Sequence, residues 1–307
     1  MDVLLLILLN VILPLFSLII AGGVLHRIFH FDMNTLSKLT TYFFIPTVSF
    51  LNIYQSEMKG ETLLMVLGFL IFQSACLILL SAVIVRIAKL DRSMSAVFKN
   101  SVVLINSANY GLPVSQLVFQ HNPIGQSIQI IVIIYQNLLT YTYGLMNSVS
   151  GQAKGMDTVK ILLKNPIIYA VLLGMILNVS NIHIPSFLLN PIENSANAFI
   201  AVALLTLGAQ SAYLKLNHFS KPLILSLITR LIGAPLIAFV IIMLLNIDGT
   251  VAQALLIASS FPTSRNSALF ALEYNNHPEY AAQAVLVSTI FSIATVTAVV
   301  YAAELLF

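Results

Sequence analysis

The chain has 307 residues, of which 59% are hydrophobic and 8% charged, with a mean hydropathy of +0.95. A soluble domain carries about 25% charged residues, so the composition excludes a soluble enzyme or binding domain and requires a polytopic membrane protein. The net charge of +3 and pI near 8.9 come from lysines and arginines in short loops, not from a nucleic-acid surface, and the single cysteine, Cys76, excludes a disulfide framework.

Apolar stretches of about 20 residues, the length of a bilayer-crossing helix, can be placed at roughly 3–25, 34–54, 62–85, 96–120, 126–149, 159–180, 190–213, 220–246, 250–275 and 280–305. They give ten spans with short connections. Span 1, Val3 to Leu25, has no basic stretch or cleavage site and reads as a spanning helix rather than a signal peptide. His26 and His30 behind it have zinc-like spacing but lack an intervening Glu and a third ligand, so they read as a helix end. Ser56-Glu-Met-Lys59, after span 2, imitates a Ser-x-x-Lys nucleophile but sits in a short loop without partner motifs. Span 3 is uncharged.

Span 4 holds the feature around which the chain is organised, Asn106-Ser-Ala-Asn-Tyr-Gly-Leu-Pro113, in the middle of the apolar run from Ala96 to Gln120. Pro113 removes a helical N–H and presses on the carbonyl of Asn109, so the backbone is expected to open around Gly111. Open backbone at membrane depth survives only inside protein or beside a watery cavity, and interrupted helices of this kind bind the cargo of secondary transporters. Span 5 carries Gln136 and Tyr141, and the longest polar linker, Ser150 to Asp157, follows it at the midpoint of the chain.

The second half repeats the first. Pro166 with Gly174 in span 6 has the spacing of Pro14 with Gly22 in span 1, and Tyr274-Asn-Asn-His-Pro278 resembles Phe119-Gln-His-Asn-Pro123. Span 9 is interrupted by Ser259-Ser-Phe-Pro-Thr-Ser-Arg-Asn-Ser267, with a break expected over Pro262–Ser267. An odd number of spans per half makes the repeats inverted, 1–149 and 159–307 about a linker at 150–158. Of the 14 Lys and Arg, eleven fall in loops on one side against Lys59 on the other, and Arg230 and Arg265 lie within spans. The positive-inside rule then makes the basic loops cytoplasmic and both termini extracellular, in the plasma membrane.

These motifs resemble the auxin efflux carrier family, which joins plant PIN-type carriers to bacterial organic-acid permeases. The match runs through Pro46-Thr-Val-Ser-Phe50 (with Ser49), Asn106 to Pro113, Gln136 with Tyr141-Thr142, Arg230 to Pro235, and Glu273 to Pro278. The resemblance implies an all-α fold of ten transmembrane helices in two inverted five-helix repeats. Spans 1, 2, 6 and 7 would form a scaffold, and 3–5 and 8–10 a transport unit whose broken spans 4 and 9 cross and hold the substrate, as in bile-acid sodium symporters. The chain departs from PIN-type carriers in reading Ser267 for a second Pro, in its uncharged span 3, its short central linker, and Arg265 where they have an aliphatic residue.

Substrate ligands are therefore expected among Asn106, Asn109, Gly111, Pro113, Pro262, Ser264, Arg265 and Asn266, supported by Ser49, Gln136, Tyr141 and Arg230. Half-helix N-termini bind anions and C-termini cations. Arg265, about 22 Å into its helix at 1.5 Å per residue, suits a bidentate carboxylate and points to a dicarboxylate such as malate. No His, Asp or Glu lies near a span centre beside a candidate Ser, which argues against an intramembrane enzyme. A secondary transporter of small organic anions is expected, with no cofactor and no metal. A non-transporting sensor and a sodium-coupled carrier are the alternatives. Its partners would be the bilayer, the anion and a coupling ion, proton or sodium; a homodimer is compatible with the sequence, a nucleic-acid partner is not.

Overall fold

A computed structural model describes residues 9, 13–56, 60–148, 166–212 and 219–307. The central linker with its lysines, Lys59 and Lys215 lie outside the described residues, as do most of the tetrapeptide ending at Lys59 and the start of span 1. Among the described residues the elements are helical, and the β-type pairing is a single antiparallel bridge, Ile105 to Thr263. Five helices are long and apolar enough to cross a membrane: Gly60–Ile87, Pro123–Ser148, Ser186–Gln210, Lys221–Leu244 and Pro278–Leu306. Leu13–Phe29, Pro166–Val179 and Gly249–Ser259 are shorter apolar helices. The chain is an all-helical, multi-pass membrane protein.

Helix Gly60–Ile87 shows the logic of such a chain. Its outward residues are Leu64, Ile71, Phe72, Leu79 and Val83, while Gln73, Ser74 and Ser81 face inward among Phe69, Leu70 and Leu77. Helical spacing puts the polar groups on one stripe, and lipid as solvent turns that stripe inward.

Span 1 (Leu13–Phe29) packs on span 7 (Ser186–Ser211), and span 6 (Pro166–Val179) on the second half of span 2 (Ile45–Tyr54). Glycines make both contacts. A Cβ on Gly22 would lie 2.1 Å from the carbonyl oxygen of Leu205, and one on Gly208 1.8 Å from that of Ile19. On Gly174 it would lie 2.8 Å from the carbonyl oxygen of Phe50. Small residues permit this approach in membrane helix pairs. The far ends of both pairs are tied as well. The Arg27 guanidinium donates to the carbonyl of Ala212 (2.7 and 3.0 Å), and the Asn178 amide to those of Tyr54 (2.7 Å) and Ser56 (2.9 Å).

Four π turns are described in full, each widening its helix: Thr40–Phe44, Ser107–Gly111, Thr140–Gly144 and Thr229–Gly233. Three of these end two residues before a proline, namely Pro46, Pro113 and Pro235. Proline cannot donate and its ring presses on the carbonyl four residues back. One extra residue in that turn gives the ring room and lets the helix continue. This corrects the expectation for span 4, because Pro113 widens the helix and the backbone opens earlier. Half-helix 4a, Arg92–Val103, ends in extended backbone at Leu104, and half-helix 4b, Leu112–Val118 with its leading π turn, starts after Asn106. In span 9 the break covers Ser260 to Ser264, between half-helix 9a, Gly249–Ser259, and half-helix 9b, Arg265–Glu273. It includes Pro262, but Ser267 is already helical.

Candidate functional site

The two breaks cross. The Asn106 N–H donates to the carbonyl of Pro262 (2.9 Å) and the Ser264 N–H to that of Leu104 (2.8 Å), a pair of antiparallel strand-type bonds. Thr263 donates two more, its hydroxyl to the Ser101 carbonyl (2.8 Å) and its N–H to the Ser288 hydroxyl oxygen (3.1 Å). The open backbone thus meets much of its own hydrogen-bonding demand. Gly111 lets this happen: a Cβ there would come within 2.5 Å of the Phe261 ring and 2.8 Å of the Gln129 amide nitrogen. Gln129 in turn donates to the Ser107 carbonyl (2.7 Å).

A broken helix leaves unpaired carbonyls at one stump and unpaired N–H groups at the other. At the crossover these fall on opposite sides. On the carbonyl side lies Arg230, 1% exposed, in the π turn of span 8. Its Nη1 donates to the Val102 carbonyl of half-helix 4a (2.9 Å) and its Nη2 to the Ser259 carbonyl of half-helix 9a. On the N–H side lies a cavity of about 50 Å³. Its walls are Ile105 to Asn109 at the start of 4b, Ser264 to Asn266 at the start of 9b, and Gln136, Asn137 and Thr140 of span 5. The start of 4b has no side-chain cap, and at 9b the Ser264 hydroxyl accepts from the Asn266 N–H (3.2 Å).

Two buried polar atoms on these walls have no partner among the described residues: Nδ2 of Asn106, 4% exposed, and Oε1 of Gln136, 7% exposed. Burying such groups unpaired costs about 1–3 kcal/mol each, so the cavity is built for something polar. Arg265 is half-buried beside them, and its Nη1 donates to the Ser37 hydroxyl on span 2 (3.2 Å). The field at this spot is positive, from two helix N-termini and one guanidinium.

The structure brings Asn106, Asn109, Ser264, Arg265, Asn266 and Gln136 onto one cavity. Other candidates lie elsewhere. Gly111 and Pro113 are buried behind the wall, and Pro262 takes part through its carbonyl. Ser49 is fully buried with its hydroxyl on its own helix at Ile45 (2.7 Å), and Tyr141 packs edge-on against Phe270 of half-helix 9b. Sequence reasoning missed Ser37, Asn137 and Thr140. Thr140 stands four residues after Gln136, on the same helical face, which is the signal that points to it. Ser37 lies at the span 2 boundary, where a serine carries no signal.

Curated proteins give no match to the chain. The family model described as a membrane transport protein matches residues 7–300, nearly the whole length. The crossed, interrupted spans therefore belong to a transporter, and the chain is a member of the membrane transport protein family, that of the auxin efflux carriers.

Proposed function

We propose that the chain is a secondary transporter of small organic anions, working by alternating access around the crossing of spans 4 and 9. The observation that carries this reading is the convergence of two half-helix N-termini, the Arg265 guanidinium and the unpaired Asn106 amide on one cavity. That combination favours a carboxylate. A cavity of about 50 Å³, room for a few waters, suits a carboxylate group better than a ring system. Arg265 adds a charge that a monocarboxylate does not require, so the substrate class we favour is a dicarboxylate such as malate.

Two inverted repeats of five spans, ten in all, are supported by exchanged contacts. Span 1 packs on 7 as 6 does on 2, through the equivalent glycines Gly22 and Gly174. The loop after span 4 is tied to the start of span 9 by Asn122 and Thr250 (2.9 Å), and the loop after span 9 to the start of span 4 by Ser93 and Asn276. Spans 1, 2, 6 and 7 then serve as scaffold. Arg265 reaches from span 9 to Ser37 on that scaffold, so a bound carboxylate competes with Ser37 for the guanidinium and loosens the moving unit. We place the chain in the plasma membrane with basic loops cytoplasmic and termini outside.

Counterflow of labelled organic acids in proteoliposomes tests this function. Arg265→Gln is expected to lower dicarboxylate flux about 10–100-fold, the worth of a charge-assisted hydrogen bond, while sparing a monocarboxylate analogue. Equal flux of both classes in variant and parent would remove Arg265 as a ligand and the dicarboxylate with it. No flux of any organic acid would overturn the transporter reading.

A further inference from the structure

The side of the crossover away from the cavity poses a separate question, which is what neutralises it. Half-helices 4a (12 residues) and 9a (11 residues) both end there, carbonyls pointing inward. Each helix C-terminus carries roughly half a negative charge, so two together amount to about one. In broken-helix transporters such paired stumps are where a coupling cation is held.

Here the place is taken by a side chain. Arg230 is the largest fully buried side chain among the described residues, and its two terminal nitrogens donate to one carbonyl from each stump, Val102 and Ser259. None of its hydrogen bonds goes to a carboxylate, and its Nε has no partner among the described residues. A buried guanidinium without a counter-ion is costly; the helix ends supply the opposing charge. The planar fork reaches two carbonyls on two different helices, which a lysine ammonium on its stem does less well. Other carbonyls of the stumps are occupied from within the protein, Ser101 by the Thr263 hydroxyl and Ile257 by the Ser260 N–H. Little is left for an external ion.

We propose that Arg230 is a built-in counter-cation at the crossover, standing where a coupling sodium ion would otherwise bind, so that the chain neither needs nor uses sodium. The same side chain pins 4a to 9a, so the two halves of the crossing move as one body. The assignment follows from the two stumps and does not depend on which anion is carried.

Thermal unfolding of the full chain in detergent, followed by helical circular dichroism, tests it. The parent is expected to melt at one temperature in sodium chloride and in choline chloride of equal concentration. Arg230→Ala in choline should melt about 5–15 °C lower, the cost of two unmet buried carbonyls, and should recover with millimolar methylguanidinium or with sodium. Arg230→Lys, which keeps the charge, should stay indifferent to sodium. A parent stabilised by sodium over choline would overturn the proposal, as would an Arg230→Ala that folds and melts early but that no added cation stabilises. Should Arg230→Ala fail to fold even with methylguanidinium present, Arg230→Lys decides: indifference to sodium supports the assignment, sodium dependence defeats it. Counterflow with and without sodium adds a separate arm. Absence of all flux would remove the transport function while leaving the melting result to stand.

Discussion

Among the described residues, main chains come into direct contact inside the membrane in two kinds of place, and by opposite means. In the glycine seams, spans 1 with 7 and 6 with 2, helices stay intact and touch because side chains are missing at Gly22, Gly208 and Gly174. At the crossing of spans 4 and 9 the helices are interrupted and touch through hydrogen bonds between their exposed links. The seams free no N–H or carbonyl, so they can hold but cannot bind. The crossing frees donors on one side and acceptors on the other, and there a polar cavity and the Arg230 and Arg265 guanidiniums gather on them. Close backbone approach is therefore not by itself a mark of function in a membrane protein; liberated hydrogen-bonding groups are.

The comparison breaks first at the seams. Gly208→Val places a branched side chain where even a Cβ would sit 1.8 Å from a backbone oxygen. Backbone cannot yield as a side chain can, so a loss above about 3 kcal/mol is expected. It would be read as poor recovery of folded protein and early thermal aggregation. A variant that melts with the parent would mean that spans 1 and 7 are not in contact.

A middle effect belongs to Gly111→Ala. Its new methyl meets the Phe261 ring and the Gln129 amide, which are side chains, so the cost should be about 1–3 kcal/mol. Anion flux should fall further than stability, since the ring and amide brace the crossing. Full flux in this variant would detach the crossing's geometry from transport.

The smallest change in stability and the sharpest contrast come from Asn106→Leu. Its backbone N–H holds Pro262, but its side-chain Nδ2 has no partner among the described residues. Leucine relieves the cost of the unpaired donor but fills the space of a planar amide less well, so the net shift in stability should be less than about 1 kcal/mol, while substrate protection against melting disappears. Retained protection would move the anion site away from this cavity.

Much of this was legible in the residues. Hydropathy gave the class, and the matched Pro–Gly spacings of spans 1 and 6 pointed to seams that use the same glycine twice. The polar runs in spans 4 and 9 marked the crossing. The breakpoint was misread because proline rules describe an α-helix, whereas the turn before Pro113 absorbs the strain by widening. Arg230 read as support only, since a side chain that spans two other helices is invisible to spacing along its own. Ser37 was missed for the same reason, being brought to Arg265 by folding alone.

The π turns have a wider consequence for how such a sequence tolerates change. Each holds one residue more per turn than the α-helix around it, so the side chains beyond face about 100° away from where the same residue count in an unwidened helix would point them. The aim of half-helix 4b, and of the helix that follows Arg230, is therefore encoded in a residue count as much as in residue identity. Loops usually absorb insertions and deletions while helices resist substitution. Within Ser107–Gly111 or Thr229–Gly233, deleting a single residue of any type would tighten the turn to α-helix and set the proline ring against the carbonyl four residues back.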